Sequence, residues 1–229
     1  MVLFLLTAMP LLAAFLAFLP WNEERVPRRY FLGLQFLRGA LLFFPAWLVL
    51  LLLRRLAGFS YSGFPLFLSL LVHAHLAPVL LALGTFILVS RRLQYPSTEE
   101  GVFLMVGSFL AGFYGMLSLA DFVAEYGRWG SHVLFLLPAE RLALVLFLAT
   151  IARRFERWEG RDGILYCAAA AGAAVVACLA SFLQQISLGL FGFLVCAGLV
   201  AAVALLAAGR FPQVLRERPG HPSARSAIR

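Results

Sequence analysis

Residues 102–124 read Val102-Phe-Leu-Met-Val-Gly-Ser-Phe-Leu-Ala-Gly-Phe-Tyr-Gly-Met-Leu-Ser-Leu-Ala-Asp121-Phe-Val-Ala124, an apolar run whose one charge is Asp121. A helix of about 20 such residues crosses the ~30 Å hydrocarbon layer of a bilayer. Working outward, apolar runs bounded by charge or turn residues recur along the 229-residue chain. They predict seven spans at roughly 2–20, 33–53, 64–89, 102–124, 132–151, 164–183 and 187–208. The fold class expected is all-α, a polytopic transmembrane helix bundle over 1–208, followed by a basic cytoplasmic tail over 209–229.

Composition agrees. The chain is 62% hydrophobic and 13% charged, too few charges to cover a water-facing surface. Soluble, disordered and disulfide-scaffold classes are excluded. Cys167, Cys178 and Cys196 lie inside apolar runs without C-x-x-C spacing and read as small buried hydrophobes. The first apolar stretch has no positive side chain before Arg25 and no small-residue cleavage pattern, so it is read as a span that stays in the protein.

The net charge of +8 comes from 19 arginines and no lysine. With the N-terminus outside and the C-terminus inside, every arginine except Arg54, Arg55, Arg128 and Arg141 falls on the cytoplasmic side. Arg54 and Arg55 are discordant and leave the second span open to irregularity. The basic charge therefore indicates a lipid bilayer and its anionic headgroups as partner, not nucleic acid. The cytoplasmic (inner) membrane of a bacterium is the expected location. Without lysine, Schiff-base photochemistry and phosphate-loop chemistry are excluded.

The candidate site comes from the polar residues that are costly in lipid. Tyr114, Ser118, Asp121 and Glu125 are spaced by four, three and four and share one helical stripe, with Gly107 extending it and Ser108 pointing elsewhere. Glu140 and Arg141 follow Pro138 and are expected near mid-membrane. Consecutive residues diverge by about 100° on a helix, so each needs a partner from another helix. His73 and His75, two residues apart, face opposite ways and cannot chelate one metal from a regular helix. Pro78 below them is expected to kink that span. No metal or other cofactor is indicated. The small residues Ala169, Ala173 and Ala177 suggest close helix packing, and the short link after Gln184 requires a helical hairpin.

The leading functional reading is a small-solute or proton-coupled transporter with a polar site in the outer half of the bundle. Its substrate- or proton-handling candidates are Glu140, Arg141, Asp121, His73, Tyr114 and Glu125. A non-catalytic membrane subunit, assembling with other membrane chains or with its own copies, is the alternative. An enzyme acting on a lipid or lipid-linked substrate is the second.

Overall fold

A computed structural model of the chain describes residues 26–57, 63–90, 99–124, 136–152, 161–186 and 188–208. The expected first span, Glu125 and the tail over 209–229 lie outside these residues. Among them every element is helical. The helices are α1 (Val26–Ala57), α2 (Gly63–Leu70), a π-helical turn (Leu71–Leu76), α3 (Ala77–Ser90), α4 (Glu99–Ala124), α5 (Leu137–Ala152), α6 (Arg161–Gln185) and α7 (Gly189–Ala208).

Four stretches among the described residues are long and apolar enough to cross a membrane: Phe31–Leu56, Gly63–Val89, Gly101–Ala124 and Gly163–Gln185. The protein is thus an integral membrane protein built as a helical bundle. Large apolar side chains face outward along α1, among them Leu37, Leu41, Phe44 and Leu48, and along α7, among them Leu190 and Phe191. In lipid this outward face carries no solvation cost, and the polar groups turn inward.

The centre of the bundle is α4, which packs against α1 on one side and α5 on the other. Its fully buried residues include Met105, Val106, Phe109, Leu110 and Phe113. Phe109 meets Phe86 of α3 edge to face at a centroid distance of 5.2 Å, and Phe113 meets Phe43 of α1 at 5.8 Å. α5 also packs on α7, and the α2–π–α3 segment lies against α6.

Two glycines set the α1–α4 seam. A Cβ on Gly39 would stand 2.0 Å from the Phe109 carbonyl oxygen, and one on Gly112 would stand 2.1 Å from that of Phe36. No other residue fits either place, so the two backbones meet directly. Toward their C-terminal ends Arg54 of α1 reaches Asp121 of α4, which shows that the helices run parallel. One intervening crossing, the α2–π–α3 segment, accounts for that direction.

Pro78 does not simply kink its helix. Lacking an N–H, it cannot bond the carbonyl one turn upstream, and its ring crowds that carbonyl. The backbone widens instead into the π turn just before it, and the Ala77 N–H donates to the Val72 carbonyl five residues back. His73 and His75 both sit in this turn, and both are buried.

The hairpin after Gln184 forms as expected. Ile186 N–H donates to Phe182 O at 3.1 Å and Leu188 N–H to Leu183 O at 2.9 Å. A Cβ on Gly192 would lie 2.7 Å from Ala180 O, so α6 and α7 also touch closely. The alanine pattern differs from expectation. The fully buried face of α6 runs through Tyr166, Ala170, Ala174, Ala177 and Ser181, whereas Gly172 has open space beyond it. A run so rich in small residues offers several i, i+4 stripes, and the bulky anchor Tyr166 selects among them. Its hydroxyl donates to Leu148 O of α5 at 3.0 Å.

Candidate functional site

The polar residues of α4, α5, α6 and the π turn converge near the end of the bundle where α4 and α6 finish. Glu140 and Arg141 open α5, with Pro138 in its first turn, where a missing N–H costs no helical bond. Both side chains are buried. Both stand in the first two turns of α5 as described. Arg141 meets Asp121, three residues from Ala124, which places it within about 5 Å of the end of α4 at 1.5 Å rise per residue.

Arg141 turns toward α4. Its Nη1 donates to Ser118 Oγ at 2.8 Å, and its Nη2 donates to Asp121 Oδ2. Arg54 Nη2 approaches the other oxygen of the same carboxylate at 3.8 Å. Ser118 and Asp121 of the stripe are therefore the surface that receives Arg141, whereas the buried Tyr114 hydroxyl has no hydrogen-bond partner. Asp121 and Arg54 are 17% and 40% exposed, so this pair of cations shares one carboxylate at the edge of the site. The same contact gives the discordant Arg54 a reason to sit at this end of the bundle.

Glu140 turns the other way, toward α6 and the π turn. Ser181 Oγ lies 3.0 Å and 2.9 Å from its two carboxylate oxygens, so its single O–H is shared between them. His75 Nε2 stands 3.8 Å from Oε2. Both partners are nearly inaccessible, His75 at 3% and Glu140 at 1% side-chain exposure. Two sets result. One holds the guanidinium groups of Arg141 and Arg54 around the Asp121 carboxylate; the other holds Glu140 and His75, with Ser181 of α6 donating to the acid.

Of the six candidate residues, Arg141 and Asp121 are paired, Glu140 is turned toward Ser181 and His75, and Tyr114 is buried with its hydroxyl unbonded. His73 is buried in the same π turn. Glu125 lies outside the described residues. Among the described residues no group of three His, Cys, Asp or Glu side chains is placed to hold a metal ion.

Three polar residues were not singled out by sequence. Ser181 looks like one more small residue in an alanine-rich helix, and only the Glu140 contact distinguishes it. Gln35 is fully buried on α1, with neither amide atom hydrogen-bonded. Ser108, expected to point elsewhere than the polar stripe, does so, yet it is fully buried with its hydroxyl unbonded. A polar-plus-small spacing, Gln35 to Gly39 matched by Ser108 to Gly112, was the available signal.

No protein-family model, no curated protein and no solved structure matches this chain. Its functional reading rests on the geometry of these residues.

Proposed function

We propose that the protein is a multi-pass transporter that couples movement of a small solute to protons, with Glu140 and His75 as the proton-exchanging pair. One observation carries the reading. The more deeply buried of the two carboxylates whose burial is described, Glu140, faces a titratable imidazole, while the permanently charged guanidinium next to it in sequence is committed to Asp121. A cluster serving only to tie helices together is best made from groups of fixed charge, because a buried ion left without its partner is destabilising by about 3–5 kcal/mol. An acid facing an imidazole can instead exist as an ion pair or as two neutral groups, so a proton moves between or through them without leaving a lone charge.

In this reading the chain crosses seven times with its N-terminus outside, and the site opens toward the outer face. The parallel run of α1 and α4 and the antiparallel α6–α7 hairpin support the alternation this requires. Arg141, oriented by Ser118 and Asp121, supplies a positive field that balances the carboxylates or attracts an anionic group on the solute.

The test uses purified full-length protein in liposomes loaded with a pH-sensitive dye. A panel of amino acids, sugars, carboxylates and inorganic cations is applied under an imposed pH gradient. At least one solute is expected to drive proton movement at ten or more times the rate of Glu140→Gln vesicles, with Arg54→Ala close to wild type. Flux in Glu140→Gln equal to wild type, or no solute-dependent flux across the panel, overturns the reading in favour of a structural cluster.

A further inference from the structure

A second polar site lies on the α1–α4 seam, away from the Glu140 cluster. Gln35 is 0% exposed, and neither its Oε1 nor its Nε2 has a hydrogen-bond partner. Ser108 is 0% exposed with Oγ unbonded, and Nη1 of Arg38 is buried and unbonded. A buried amide or hydroxyl left unpaired costs about 1–3 kcal/mol, so three such groups together require an explanation.

The contacts at Gly39 and Gly112 fix the register of the seam, from which the places of Gln35 and Ser108 follow. Gly39 sits over the Phe109 carbonyl and the Phe113 nitrogen, and Gly112 sits over the Phe36 carbonyl and the Ala40 nitrogen. Because the helices run parallel, the same interdigitation repeats one turn earlier. Gln35 then falls between Met105 and Phe109, and Ser108 between Leu32 and Phe36, so the two are adjacent across the seam. Arg38 follows Gln35 by three residues and shares its side of α1. The site falls in the half of α1 opposite to Arg54.

We propose that Gln35, Arg38 and Ser108 form a binding site for an oxyanion, the phosphate or carboxylate group of a small molecule or of a lipid headgroup. The donor set fits that chemistry. A guanidinium offers a charge and forked N–H groups, the amide and hydroxyl add neutral donors, and no carboxylate among the described residues pairs with Arg38 to oppose an anion. An apolar ligand would leave all three groups unpaired, and a cation would meet the guanidinium. This inference stands on the seam residues and does not depend on proton coupling at Glu140.

The experiment measures thermal unfolding of the full-length protein in nanodiscs. In phosphatidylcholine discs, millimolar inorganic phosphate tests a free oxyanion; discs containing phosphatidylglycerol test a headgroup. One of the two is expected to raise the wild-type midpoint by several degrees. Apparent affinity is expected to fall at least tenfold in Arg38→Gln and in Gln35→Met, while Arg54→Ala responds like wild type. Gln35→Met replaces an unpaired amide by an apolar chain of similar length, so it is expected to fold without the anion. If neither phosphate nor phosphatidylglycerol stabilises the wild type more than it stabilises these two variants, the site does not bind an oxyanion and the proposal fails.

Discussion

Arg141 donates to Asp121, twenty residues earlier in the chain, while its immediate neighbour Glu140 accepts from Ser181, 41 residues later. Two consecutive ionisable residues thus tie α5 to α4 on one side and to α6 on the other. The angular step of about 100° between neighbours makes that division possible, and placing both in the first turns of α5 puts them at the junction of three helices. The consequences differ for each partner.

Among the described residues, removing Arg141 leaves Asp121 with the more distant, part-exposed Arg54. Arg141→Ala is expected to destabilise the protein by about 2–3 kcal/mol, below the range for a fully buried pair because Asp121 is 17% exposed and keeps Arg54 nearby. Arg54→Ala, which loses a 3.8 Å contact at 40% exposure, is expected to cost under about 1 kcal/mol. Denaturant unfolding in detergent separates the two. Equal losses would contradict the assignment of Arg141 as the principal partner.

At the glycine crossing, Gly39→Ala and Gly112→Ala each drive a Cβ into a facing backbone carbonyl. Overpacking of this kind costs about 1–3 kcal/mol or more, because backbone has no rotamer to yield. Gly33→Ala and Gly115→Ala meet nothing within 4 Å and are expected to be neutral or to stabilise by up to about 1 kcal/mol. Thermal midpoints of the four variants check the contrast.

These two predictions also show what the sequence carried and what it withheld. The partition of Glu140 from Arg141 was legible, because helical geometry alone separates neighbours. So was the Tyr114, Ser118 and Asp121 stripe, which follows from spacing. The identity of the partners was not, since no local rule says that Ser181 or His75 stands opposite Glu140. Pro78 announced a disturbance but not its form, as a proline can be absorbed by a kink or by a π turn and the neighbouring helices decide. Gln35 carries no signal of its own, because one amide in an apolar span resembles a neutral interruption until the facing helix is known.

Tyr166 tests the anchoring of α6 apart from the ionisable cluster. Tyr166→Phe removes the 3.0 Å bond to Leu148 O and leaves that carbonyl its own helical bond. A loss of about 0.5–1.5 kcal/mol is expected in unfolding experiments, with proton-coupled flux retained. Loss of flux at unchanged stability would show that this tyrosine belongs to the proton site.

Ser181→Ala takes the donated bond away from both oxygens of Glu140 without altering the fold of α6. A hydrogen bond to a charged group contributes about 1.5–3 kcal/mol, so the ionised form of Glu140 loses support and the neutral form gains weight. The acid limb of the flux–pH profile is expected to move to higher pH in this variant, while Tyr166→Phe leaves it in place. An unmoved profile would mean that the serine does not act on the proton-carrying group.

The account turns on whether Glu140 gains and loses a proton inside the bundle. Infrared difference spectroscopy of the full-length protein in lipid, taken between acid and alkaline conditions, measures this directly through the carboxylic C=O stretch. The expected result is a band that is absent in Glu140→Gln, shifts in frequency in Ser181→Ala and persists in Arg54→Ala. A difference spectrum in which Glu140→Gln is identical to wild type would show that Glu140 keeps one charge state throughout, and would contradict the proposed role.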